Sequence, residues 1–425
     1  MRRSRHLTAV LGVALLASAC GSAEQAAAPV ATAAKVSECK TEGVTITATF
    51  AQQGEEAATA AKKAVEAEFP GLTVRLDKSA AQGYDQLTQQ VVADLAAGKT
   101  TDVVMVGLGQ VRFWVDRYHP SPIDPAALKP SYDQRFLKIG EVDGKPYVAP
   151  FQVSVPVLFT NTGLTGKAGV TKAPATSGEL LSAAEQVKKS GGIAPVALPR
   201  DSVADWVAQA YVQSAGATFV NPDGTAGFDN EAGRRGLSVY SDLGTRGLMD
   251  PIGFQDATAR FTKGELAYLV TSPAQAANVQ KTVGDKFTWT VSDFPVPDGG
   301  KASLPAGGNG WLVLSQDSCR AAFANEMVGA MLDPKVIASS AKTFSYVPVD
   351  KDAARELAAD PAASTQVGYA WKYAGTPTPW GGWHGDATPK VNKILTDLVQ
   401  QLTNGRAVAD VLPGVVKQVD GVARG

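Results

Sequence analysis

Cysteine and histidine are nearly missing from this chain, with three of each in 425 residues. His6 lies in the first twenty residues, so His119 and His384 are the only histidines of the body. That scarcity excludes zinc sites built on Cys/His spacing and hydrolases built on a His-centred triad. No H-E-x-x-H and no G-x-S-x-G elbow occurs. Gly107-Leu108-Gly109, followed by Gln110 and Val111, is neither a dinucleotide fingerprint nor a phosphate loop. No cofactor and no metal is therefore expected. An excess of charge of one sign is also missing: 40 basic residues stand against 41 acidic ones, with no basic block. Nucleic-acid binding is excluded on that ground. Beyond the N-terminus no apolar run is long enough to span a membrane. The expectation is a protein that is not an enzyme. A glycosidase needs only two carboxylates, so a secreted glycoside hydrolase remains an outside alternative.

The N-terminus carries the first positive signal. Arg2, Arg3 and Arg5 precede an apolar run from Leu7 to Ala17, and Ser18-Ala19 lead into Cys20. Residues 1–19 read as a removable export signal, too short in its apolar part for a transmembrane helix. The stretch before Cys20 resembles a bacterial lipobox, with Ala17 where Leu is preferred. A lipidated Cys20 then anchors the exported protein to the outer face of the cell membrane; an ordinary signal-peptidase site is the alternative. Residues 20–38 read as a flexible tether. The stretch 21–35, GSAEQAAAPVATAAK, has too little bulky apolar surface to fold and reaches roughly 50 Å when extended. Two cysteines remain, Cys39 and Cys319. In an oxidising exterior they are expected to pair, two unpaired buried thiols being the alternative.

The body is long enough for two domains. Its first part alternates strand and helix. Val44, Ile46, Ala48 and Phe50 alternate with threonines, and an Ala-rich helix opened by Glu55 and Glu56 runs to Phe69-Pro70-Gly71. Leu72–Leu76 is a strand, Leu87, Val91, Val92 and Leu95 mark a helix, and Asp102–Val106 is a buried strand. Such alternation predicts a parallel, helix-covered sheet whose ligands bind beyond the strands' C-terminal ends. A second α/β region begins near Pro150, with helices at 180–187, from Asp201 or Ser202 through Trp206 and Tyr211, and near 228–243. It continues with a strand over Gly264–Val270, a helix from Ser272, and an amphipathic helix from Val391 to Leu402 ended by Asn404-Gly405.

Four ordered segments carry a resemblance: GKPYVAPFQVSVPVLFTNTGL (144–164), FTKGELAYLVTSPAQAANV (261–279), FPVPDGGKASLPAGGNGWLVLS (294–315) and SYVPVDKDA (345–353). Together they resemble the extracellular solute-binding proteins of ABC importers, in the carbohydrate-type family. That family includes receptors for maltose-like sugars and for glycerol-3-phosphate and its diesters. The resemblance implies an α/β fold of the two-lobed periplasmic-binding-protein kind, with a hinge and a ligand cleft between the lobes. It implies a first lobe of residues 39–152 plus 304–355 and a second of 153–303 plus 356–425, with crossings near 150–157, 297–306 and 352–362. It also implies a monomer that captures a sugar or other small polar solute, closes over it, and is recognised by permease subunits.

Sugar recognition combines aromatic faces with planar polar groups. Seven tryptophans occur, three of them in AWKYAGTPTPWGGWHGD (370–386), where Gly and Pro preclude one regular amphipathic helix. Trp380 or Trp383 is expected to face the solute, and Trp371 the core. By position the resemblance adds Trp206, Tyr84 and Tyr346, with Gln52, Gln53 and Glu55 after the first strand, Ser154 in a crossing, Ser272 at a helix start, and Gly307-Gly308. The glycerol-phosphate branch places an Arg in the segment matching Gly381–Asp386, where this chain has Gly-Gly-Trp-His. The branch's acidic contact after the third strand is replaced by Gly107-Leu108-Gly109. The expected solute is a neutral oligosaccharide, with glycerol-3-phosphate or a glycerophosphodiester as the alternative.

Overall fold

The structure, a computed structural model, describes residues 33–81, 83–191 and 193–424. The leader, Cys20 and most of the tether lie outside the described residues. In chain order the strands are β1 (Thr45–Phe50), β2 (Thr73–Lys78), β3 (Val103–Gly107), β4 (Glu141–Val142), β5 (Lys145–Pro146), β6 (Val148–Ser154), β7 (Val157–Asn161), β8 (Val196–Ala197), β9 (Tyr268–Thr271), β10 (Trp289–Asp293) and β11 (Gly307–Val313).

Two sheets organise them. The first has the order β2-β1-β3-β11-β6, with β1 parallel to β2 and β3, and β11 antiparallel to both β3 and β6. The parallel part arises from the strand–helix alternation, and β3 is buried at every position, as a strand covered on both faces must be. Helix Glu55–Glu68 buries Ala57, Ala58, Ala61 and Val65 along one stripe. Its small side chains let the backbone lie close to the sheet. The second sheet has the order β10-β7-β9-β8; β7 runs antiparallel to β10 and β9, and β8 parallel to β9. Two local expectations shift. The third-quarter strand begins at Tyr268 rather than Gly264, whose φ of +81° closes the preceding helix in a turn. Asp201 does not cap the helix Ala204–Ser214; its carboxylate accepts from Phe254 N at 3.0 Å, at the start of helix Phe254–Thr262.

Each sheet carries its own core. The first runs from Ile46 to Val153 and from Ala306 to Trp371; the second runs from Val155 to Leu304 and from Trp383 to Val419. The chain therefore passes between lobes at 153–155, 304–306 and 371–383. The last passage falls later than the 352–362 expected, because Leu357, Ala363, Ala370 and Trp371 bury their apolar surface in the first core. The second and third passages are bonded to each other: Ala306 N donates to Thr378 O at 2.8 Å, and Thr378 N to Leu304 O at 2.9 Å. Arg135 of the first lobe donates to the carbonyls of Ala374 and Gly375, both at 2.9 Å. Cys39 and Cys319 form a disulfide, with Cα atoms 5.5 Å apart across 280 residues of sequence. It fastens the first described residues to helix Ser318–Met331.

One ion pair, between buried Asp102 and half-buried Arg320, ties the first lobe's helical layer to its sheet. Asp102, with 2% of its side chain exposed, accepts from Arg320 at 2.6 and 3.0 Å, from Ser315 Oγ at 2.6 Å and from Thr47 N at 2.8 Å. Removing one member of a buried pair strands the other charge. Arg320→Ala should lower unfolding free energy by about 3–5 kcal/mol in urea titration; a loss below about 1 kcal/mol would show that the pair is dispensable.

Candidate functional site between the lobes

Where β3 ends and β11 begins, glycine leaves the backbone bare and aromatic rings lie on it. A Cβ on Gly107 would come within 2.9 Å of Tyr84, one on Gly109 within 2.7 Å of the Trp380 ring, and one on Gly307 within 2.8 Å of the Trp206 ring. Trp380 lies within the third passage and packs on the second core, so its ring, set against Gly109 of the first lobe, reaches across the junction. The Trp206 and Trp380 rings lie 6.1 Å apart at 48°. Their indole N–H groups are fixed: Trp206 Nε1 donates to Pro305 O at 2.9 Å, and Trp380 Nε1 to Asp205 Oδ2 at 2.7 Å. Gly308 has φ +103° and packs directly on Gln152 O, a position open only to glycine.

A polar network underlies the rings. Asn309 Nδ2 donates to Gln152 Oε1 at 2.7 Å and to the Tyr84 hydroxyl at 3.0 Å. Tyr346 and Tyr84 share a hydrogen bond between hydroxyls, and burial raises the pKa of both above that of free tyrosine. Gln152 Nε2 continues to Ser340 Oγ at 2.7 Å and to Gln53 O at 3.2 Å. On the second lobe Gln209, 1% exposed, clasps the loop carrying Trp380 by donating to Pro379 O and accepting from Gly381 N, both at 2.9 Å. Asp116 adds a direct contact between lobes, accepting from Gly385 N at 2.7 Å.

The expected site residues divide. Tyr84, Trp206, Trp380, Gly307, Gly308 and Tyr346 come together here, with Ser154 Oγ against Gly307. Trp383 does not: it is fully buried beside Phe219, 5.6 Å away, in the second core. Gly381 and Gly382, at φ +69° and +107°, turn the chain so that its ring points inward. Gln52 is exposed and donates to Glu55 at 3.0 Å, while Lys78 bonds Glu55 at 2.8 Å and holds its pKa below the usual carboxylate value. Gln53 joins through its carbonyl only, and the Ser272 hydroxyl is spent on Ala274 N at 3.1 Å, capping a short 3-10 turn. The residues not anticipated are Asp205, Gln209, Gln152, Asn309, Asp85 and Gln110. Asp205, Gln209 and Gln213 recur every four residues on an otherwise apolar helix, a readable sign of one polar face.

Two surface hollows flank this junction. A groove of 380 Å³ beside Trp380 is lined by Gln213, Thr218, Phe219, Ser303, Pro379 and Gly381. A crevice of 530 Å³ lies between β10 and the segment 363–375, and contains none of the three rings. Among the described residues no group of three His, Cys, Asp or Glu side chains is placed to hold a metal.

Burial pushes the Asp205 carboxyl up to about 6. A carboxyl raised on folding stabilises the fold below its ordinary pKa, and that contribution is lost as pH rises through 6. The shift corresponds to about 3 kcal/mol. Asp205→Asn should therefore gain on the wild type by up to about 3 kcal/mol between pH 4 and pH 7 in urea titrations. An unchanging difference would contradict the assignment.

Comparison with known proteins gives this architecture a family. A sequence profile described as bacterial extracellular solute-binding protein matches residues 60–366. A binding protein of Brucella abortus (strain 2308) is 25% identical over 304 residues, covering 69% of this chain and 72% of its own. The cyclic α-maltosyl-1,6-maltose binding protein of Arthrobacter globiformis superposes with a TM-score of 0.74 at 18% identity, over 90% of this chain and 99% of its own. A Mycobacterium tuberculosis protein crystallised with glycerophosphocholine does so with a TM-score of 0.72 at 19% identity, over 88% and 98%. The two-lobed α/β fold is thus shared with these structures, and the chain belongs to the bacterial extracellular solute-binding protein family.

Proposed function

We propose that this protein is the capture subunit of an ABC importer, an exported lipoprotein held by Cys20 at the outer face of the membrane. It binds a carbohydrate, an oligosaccharide, between its lobes and presents the closed form to the permease. The observation that carries this reading is the set of rings, Tyr84, Trp206 and Trp380, laid on bare strand-end backbone where the lobes meet. Flat rings suit the C–H faces of pyranoses, and the buried amides of Gln152, Gln209 and Asn309 hold the rings and the Trp380 loop in place. The groove beside Trp380 gives room for a further sugar unit along the second lobe. Lobe rotation about 153–155, 304–306 and 371–383 accounts for closure.

A glycerophosphodiester fits less well. The loop matching the phosphate-binding Arg of that branch holds Trp383 and His384, and the nearby cations are engaged. Arg112 pairs with Asp116 at 2.9 Å, and Arg117 lies 3.9 Å from Asp386. Without a guanidinium fork the strongest phosphate ligand is missing.

Calorimetric titration with maltose-type oligosaccharides and with glycerophosphocholine tests the reading. A sugar should bind saturably, and Trp380→Ala should weaken it ten- to thirty-fold, about 1–2 kcal/mol. Trp383→Ala should instead cost about 3–5 kcal/mol of stability, the loss of a core aromatic. Unchanged affinity in Trp380→Ala overturns the stacking role. Tight glycerophosphocholine binding with no sugar binding overturns the carbohydrate reading.

A further inference from the structure

One hydrogen bond crosses between the lobes with each of its ends fixed by its own lobe. Asp116 lies on helix Val111–Tyr118, which follows β3 and packs on the first core. Its Oδ2 accepts from Arg112 Nε at 2.9 Å, one turn earlier on the same helix, and from Gly385 N of the second lobe at 2.7 Å. Arg112 is held from behind, its Nη1 donating to Asp143 at 3.3 Å in the turn between β4 and β5. The carboxylate is therefore aimed before the second lobe arrives. It also keeps Arg112 when that lobe leaves, so parting the lobes strands no charge.

The donor is held as firmly. Trp383 roots the loop in the second core, Gly381 N is bonded to Gln209 Oε1 at 2.9 Å, and Ala387 N donates to His384 O at 3.2 Å. Gly385 itself has φ +56°, a left-handed angle that glycine adopts at little cost. A Cβ there would meet nothing within 4 Å, so close packing does not require the glycine; the turn of its N–H does. Two fixed groups, one of them charged, make a strong hydrogen bond with little freedom left to lose. Because its partners belong to different lobes, the bond exists only with the lobes together. The neighbouring pair Arg117–Asp386 also crosses, but at 3.9 Å and with both side chains more than half exposed it adds little.

We propose that Asp116 is the clasp that sets how much of the protein is closed, a positioning residue that acts on the lobe angle through Gly385 N. The proposal goes beyond the carbohydrate reading and holds for any solute.

The experiment measures distances between the lobes in the solute-free protein by pulsed electron paramagnetic resonance. Spin labels go on Lys145→Cys, beside the Asp143 turn, and on Lys390→Cys, in the first turn of helix Ala387–Thr403; both positions are exposed. With Cys20→Ser in the full chain, and Cys39 and Cys319 joined to each other, the introduced thiols alone are labelled. Wild type should show a dominant short distance. Asp116→Ala should lower the ratio of short to long distances about tenfold. Asp116→Asn keeps the shape and one acceptor oxygen, so it should fall between the two, and it remains informative if the alanine variant misfolds. Asp386→Ala removes the looser pair and should leave the distribution unchanged. The same distribution in Asp116→Ala as in wild type overturns the clasp. An equal shift in Asp386→Ala overturns it too, since closure would then follow net charge. So does a wild type without a short-distance population.

Discussion

The junction between the lobes depends on backbone without side chains. Gly107 and Gly109 at the end of β3, and Gly307 at the start of β11, each leave a space that an aromatic ring fills to contact distance. Alanine at any of them would drive a methyl group into Tyr84, Trp380 or Trp206. The consequence reaches further than packing. Trp380 is attached to the passage that is hydrogen-bonded to Leu304–Ala306, its nitrogen is held by Asp205 of the second lobe, and its face lies on Gly109 of the first. One indole therefore couples the hinge, the second lobe's polar helix and the first lobe's strand end. A displacement of that ring by an ångström changes all three contacts together, because a close-packed junction has no slack to absorb it.

How much of this was legible in the sequence depended on which physical signal was involved. Strand–helix alternation through the first hundred body residues is a periodicity signal, and β1, β2 and β3 lie parallel as that alternation requires. The core position of Trp371 followed from its surroundings, and its Nε1 reaches Ala341 O at 3.1 Å. Trp380 and Trp383 were indistinguishable, because the choice rests on two left-handed glycines between them, and glycine adopts either hand at little cost. The last passage was displaced because the apolar residues 357–371 carry no mark of which core they join; only tertiary packing decides that. Asp205 stands with Gln209 and Gln213 on one polar face of an apolar helix, but what that face holds is decided by Trp380, 175 residues away.

The two lobes have separate cores, so their internal stability does not fix the angle between them. A few contacts bear on that angle. Drawing the lobes together are the Trp380 contact on Gly109, the Asp116 bond to Gly385 N, and the distant pair Arg117–Asp386. The last is half-exposed and contributes little. These contacts are few and each is of the order of 1–3 kcal/mol, so the protein alone holds the lobes together only weakly. Such near-balance is what a receptor requires. A ligand shifts a conformational equilibrium only by the difference in its affinity for the two states. A junction that closed firmly by itself would leave that difference nothing to act on.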